Sequence, residues 1–201
     1  MLFFLASYPL LGAGIKYIDD AFDEKTFNKK LAFIITPFLS ILGAYAMFVD
    51  PVSATILLSV LAGVCLKGKV DNLAFIGGLL ICLVIVLTLG IEFLVIPLIL
   101  LSAAAVLDEV GNDLIDKKKE YFKQGNAFHK FIMYFFGQRW IMKTAILYLV
   151  IVNIVPVYFF FAMILFDYAY VFVDFISKIK QGIIKIDTLT PTIAKFACLF
   201  K

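Results

Sequence analysis

Two acidic stretches hold the residues whose types and spacing suit chemistry. One is Asn112-Asp113-Leu114-Ile115-Asp116-Lys117-Lys118-Lys119-Glu120; the other, nearer the N-terminus, is Asp19-Asp20-Ala21-Phe22-Asp23-Glu24. On a helix, Asn112, Asp113, Asp116 and Glu120 stand at i, i+1, i+4 and i+8 and share one broad face. Mg²⁺ is a hard cation that takes oxygen ligands, commonly one or two carboxylates completed by substrate phosphates. A carboxylate ladder at the end of a membrane helix can hold such an ion. The plainer reading is a solvated run of charge that ends an apolar helix. Each stretch directly follows an apolar segment and spaces its acids three and four apart, and that repetition favours a site.

The elements that must position these acids are apolar throughout. The 201 residues are 63% hydrophobic and 16% charged, with a mean hydropathy of +1.02. Soluble domains carry about 25% charged residues, so the expected fold is all-α, a polytopic transmembrane helix bundle. Its domain spans residues 1–180, followed by a tail at 181–201. Arg139 is the sole arginine among eighteen basic residues, which argues against an arginine-fork surface for nucleic acid. Cys65, Cys82 and Cys198 show no metal-ligand spacing and read as small hydrophobes. Met1 to Gly12 lacks a basic n-region, which argues against a cleaved secretory signal.

Along the chain, apolar spans are expected at 1–17, 31–49, 52–66, 72–89 and 93–107, joined by short turns that make antiparallel hairpins. Asp50-Pro51 and Gly90-Ile91-Glu92 are the turn signals. The aromatic run Phe128 to Phe136, with its basic flank, fits an amphipathic piece in the headgroup layer, and Trp140 fits an interfacial anchor. His129, the only histidine, reads as a surface residue before a catalytic one. Two readings compete for the last part. Asn153 and Pro156 separate spans at 141–154 and 157–177, giving seven in all, or one kinked span covers 144–166, giving six. The seven-span reading buries Asp167 at mid-depth, a cost of about 2.5–3.5 kcal/mol.

Thirteen of the eighteen basic residues fall in the connections after spans one, three and five. The positive-inside rule then puts the N-terminus outside and both acidic stretches in the cytoplasm, in a multi-pass protein of the cell membrane. The two stretches close helices that both run inward, so they can meet at one mouth. Asp174 lies far along the chain from both and should be independent of them.

Asn112-Asp113-x-x-Asp116-x-x-x-Glu120 resembles the N-D-x-x-D-x-x-x-D signature of the UbiA superfamily of intramembrane prenyltransferases, and Asp19-Asp20-x-x-Asp23 resembles that family's second aspartate-rich motif. The fuller signature stands second here, and Phe27 occupies the place of a final carboxylate in the first. The resemblance implies Mg²⁺-dependent transfer of a polyprenyl group from its diphosphate to a lipophilic acceptor. It implies that Asp19, Asp20, Asp23, Asn112, Asp113, Asp116 and Glu120 hold metal, and that Lys16, Lys117, Lys119 and Arg139 hold diphosphate. The competing readings are a non-enzymatic transport or lipid-binding protein, for which Asp167 and Asp174 would be the buried acids, and a degenerate binder of prenyl diphosphate that does not turn it over.

Overall fold

The computed structural model describes residues 1–66, 68, 72–117 and 126–183. Among the described residues there are eight helices and no strand: α1 (Leu2–Phe22), α2 (Lys29–Val49), α3 (Pro51–Leu66), α4 (Leu73–Leu89), α5 (Val95–Lys117), α6 (Ala127–Gly137), α7 (Trp140–Ile151) and α8 (Val157–Lys180). Seven follow the apolar segments of the sequence, and α6 is the aromatic run. The kinked single helix over 144–166 is ruled out. The chain turns between α7 and α8 at Asn153, whose φ is +58°, while the amides of Ile154 and Val155 both bond back to the Leu149 carbonyl.

Local sequence sets these boundaries. The Asn28 side chain accepts from the Lys30 amide at 2.9 Å and caps α2, and Asn72 does the same for α4 through Phe75. Asp50 ends α2 and caps α3, its Oδ1 accepting from the amides of Val52 and Ser53. With Pro51 as the first helical residue, one amino acid suffices to reverse the chain. Gly90 closes α4 in the left-handed region, φ +60°, where glycine carries no Cβ penalty.

The extensive contacts run α1–α2, α2–α3, α3–α5, α5–α7, α7–α8 and α8–α1, so six helices follow one another round a closed ring, with α4 laid against α2. Small residues permit the tightest approaches. A Cβ on Gly12 would collide with the backbone carbonyl of Phe166 on α8, and one on Gly63 would lie 2.8 Å from the Ala105 Cβ on α5. Inside the ring, Phe4 and Phe159 meet at 4.8 Å between ring centroids. Outside it, large apolar side chains stand bare: Leu2, Leu87 and Ile96 are 77%, 78% and 81% exposed. Water does not tolerate such a surface on a monomer, whereas lipid does.

Three helices, Lys29–Val49, Val95–Ile115 and Val157–Lys180, are long and apolar enough to cross a membrane, while Pro51–Leu66, Leu73–Leu89 and Trp140–Ile151 are apolar but shorter. The two ends of the bundle differ in charge. One end carries the N-terminus and the turns at Asp50, Gly90 and Asn153, with no lysine or arginine among the described residues. The other gathers the C-terminal ends of α1, α5 and α8 with the start of α7. There Gln181 donates to Glu24 at 3.2 Å, and the Lys180 ammonium lies 4.8 Å from the Phe27 ring.

Gly12→Ala is expected to destabilise the bundle by about 1–3 kcal/mol, since the obstacle is backbone and has no rotamer to yield. Gly77→Ala, where a Cβ meets nothing within 4 Å, is expected to be neutral or stabilising. Thermal unfolding of the two variants in one detergent checks both.

Candidate functional site

At the charged end a cavity of about 460 Å³ opens between α1, α2, α3, α4, α5 and α8. Its polar wall is made by Asp19 and Asp23 from α1, Glu109 and Asn112 from α5, Arg139 from the start of α7 and Tyr170 from α8. The rest is apolar. Thr36 and Ser40 also line it, but their hydroxyls donate to the carbonyls of Ala32 and Thr36 on their own helix, so they present little polarity inward.

Members of both acidic stretches therefore share one cavity: Asp19 and Asp23 of the first, Asn112 of the second. Asp20 lies buried behind the wall, 2% exposed, with the Lys16 ammonium 2.9 Å from its Oδ1. The same ammonium is 3.2 Å from Asp19 and 3.4 Å from Asp174. Lys16 thus binds three carboxylates. Asp174 is not independent of the first stretch but part of it, because α1 packs along α8. Asp113 is half-buried on α5, and Lys117 ends that helix, exposed. The Asp116 side chain, Lys119 and Glu120 lie outside the described residues.

Arg139 occupies the left-handed region, φ +51°, uncommon for a residue with a side chain. Its Nη2 is 2.9 Å from Glu109 Oε1, and its guanidinium carbon lies 4.9 Å from the Tyr170 ring centroid. Burial opposes its charge, but the facing Tyr170 and Glu109 outweigh that and raise its pKa above the ordinary arginine value. Lys16 approaches the same ring at 5.3 Å, so Tyr170 has both cations over its ring.

Two devices hold Arg139 in place. Asp108 of α5 accepts from the amides of Ile141 and Met142 at 3.0 and 2.7 Å, so it caps α7 from a neighbouring helix. Lys143, one turn into α7, is ion-paired with the buried Asp167 of α8, and its ammonium also donates to the carbonyls of Gln138 and Arg139. The seven-span reading left Asp167 as a buried acid without a partner; this pair supplies one.

Sequence reasoning assigned no role to Glu109, Asp108 or Tyr170. Tyr170 had one signal available: it lies at i+3 from Asp167 and i−4 from Asp174, on the face of α8 that carries both acids.

The donor set bears on whether a hard cation fits. Among the described residues no three His, Cys, Asp or Glu side chains group closely enough to hold a metal on their own. The polar wall nevertheless offers oxygen donors from Asp19, Asp23, Glu109 and Asn112. That set fits an Mg²⁺ ion that takes one or two protein ligands and completes its shell with water and substrate oxygens. No family model, no curated protein and no solved structure matches the chain.

Removing one member of the Lys143–Asp167 pair is expected to destabilise by about 3–5 kcal/mol, because the other charge stays buried. Lys143→Met combined with Asp167→Leu should recover most of that loss. A double-mutant cycle on thermal stability tests it; additive losses would contradict the pairing.

Proposed function

We propose that the chain is a UbiA-like membrane enzyme that transfers a polyprenyl group from its diphosphate to a lipophilic acceptor, with Mg²⁺ as cofactor. The observation that carries this reading is a single cavity with an acidic, arginine-bearing mouth and an apolar interior. The mouth suits a metal-chelated diphosphate and the interior suits its hydrocarbon tail.

In the proposed reaction the allylic C–O bond of the donor breaks and diphosphate leaves. The acceptor then bonds to the freed carbon and releases a proton to solvent or to a carboxylate. Mg²⁺ would neutralise charge on the departing diphosphate. Asp19, Asp23 and Asn112 would hold the ion, together with Asp116 and Glu120 from the end of the second stretch. Arg139 faces the cavity and would contact the diphosphate, and the same role is proposed for Lys117, exposed at the end of α5, and for Lys119. Asp20 and Lys16 would act from behind, Lys16 by holding Asp19 and Asp20 against mutual repulsion. The apolar walls would exclude water from the electron-poor carbon.

Charge balance supports a metal-dependent mode. At the mouth Arg139 faces Asp19, Asp23 and Glu109, while Lys16 behind the wall is shared among Asp19, Asp20 and Asp174. A bare diphosphate would meet net negative charge there, and divalent cations reverse that.

The membrane disposition belongs to the same proposal: seven spans, the N-terminus outside, and the charged end in the cytoplasm. A cysteine at Asn28, an exposed position, should then react with impermeant reagent only from the cytoplasmic side.

Prenyl diphosphate is expected to raise the melting temperature of purified protein only when Mg²⁺ is present, since a ligand at 100 times its Kd adds about 2.7 kcal/mol. Asp23→Asn and Asp116→Asn should weaken that response, and a radiolabelled donor with a lipid extract as acceptor tests turnover. Binding without turnover would make the protein a prenyl-diphosphate binder. No response at any Mg²⁺ concentration would remove the diphosphate site.

A further inference from the structure

The cavity has a floor. Its lining on α2 runs from Thr36 to Met47 and on α3 from Leu57 to Cys65; at about 1.5 Å per residue these are depths of roughly 16 and 12 Å. Met47 and Leu57 are 3% and 6% exposed and form the deep end with Leu11. One turn further from the mouth, Tyr8 on α1 and Ser53 on α3 are both fully buried, and their hydroxyls lie 3.1 Å apart. This bond joins two helices across the line of the cavity. Breaking it would strand polar groups in an apolar core, so the floor resists being pushed aside.

We infer that the cavity admits a prenyl tail of about three isoprene units, its length limited by the floor at Met47 and Leu57. The inference rests on the prenyl-diphosphate reading for the head of the ligand. The length follows from covalent geometry: three backbone bonds extend about 3.3–3.6 Å, so the four bonds of an isoprene repeat extend about 4.5 Å. Depths of 12 to 16 Å hold about three repeats with the diphosphate kept at the mouth. Longer donors would leave apolar chain beyond the wall.

Two positions test the limit from opposite directions. Met47→Ala would open space beneath the tail. Gly43, one turn above Met47, lines the cavity, and a Cβ there meets only Leu11 Cδ2, at an ordinary 3.6 Å. The added methyls of Gly43→Val would therefore occupy the channel without displacing backbone.

Melting temperatures with Mg²⁺ and geranyl, farnesyl or geranylgeranyl diphosphate test the inference, alongside the matching alcohols that lack the diphosphate. Wild type should respond most to farnesyl diphosphate. The optimum should move up by one unit in Met47→Ala and down by one in Gly43→Val. A response to every diphosphate regardless of length, or one greatest for geranylgeranyl diphosphate in the wild type, overturns the length limit and leaves the diphosphate site standing. A length optimum among the alcohols with none among the diphosphates supports the channel while removing the diphosphate reading. If neither series shifts the melting temperature, both fall.

Discussion

The fold depends on one constraint: a charge taken into an apolar bundle must meet an opposite charge there. An unpaired ion would cost several kcal/mol, and each pairing here joins a different pair of elements. Lys16 on α1 meets Asp174 on α8. Lys143 on α7 meets Asp167 on α8. Arg139, before α7, meets Glu109 on α5, and Asp108 on α5 caps α7. Apolar packing alone would let helices slide by a turn at modest cost, because one leucine face resembles another. Buried ion pairs remove that freedom, since a one-turn slip of about 5.4 Å separates every pair. Register and charge placement are thus one problem in this molecule.

The same constraint shapes the cavity mouth. Its cations are opposed by carboxylates, and Tyr170 sits between them at 4.9 and 5.3 Å. The groups that line the mouth are therefore held by one another, and the geometry of each depends on its neighbours' charge.

Much of the fold was legible in the sequence because lipid-facing helices need apolar length, and length is easily read. The turns at Asp50-Pro51 and Gly90 were visible as local chemistry, and α6 was visible as an aromatic run with a basic flank. The choice between two helices and one at 144–177 was not, since Asn153 and Pro156 permit either outcome. The Asp167–Lys143 pair favours two, and it links residues twenty-four apart. The site was legible in part for the same reason. Asp19, Asp23 and Asn112, singled out by their spacing along two separate stretches, line one cavity. Asp174 was misjudged because its partner, Lys16, is reached only through the packing of α1 on α8. Glu109 and Asp108 were visible as charges but not as a wall and a cap, roles that exist only once α7 is in place.

Arg139 shows how closely backbone and function are tied here. A non-glycine residue in the left-handed region costs about 1–2 kcal/mol, and such conformations persist only where the surroundings determine them. Asp108 fixes the two amides that follow it, and Lys143 fixes the carbonyls of Gln138 and Arg139 itself. A glycine at this position would satisfy the turn without strain, and would remove the ion pair with Glu109 from the cavity wall. The sequence instead places its only arginine there, with a guanidinium that stays charged and presents several fixed donors. The strain therefore sits beneath a side chain that lines the cavity, and the capping network on α5, α7 and α8 keeps it there.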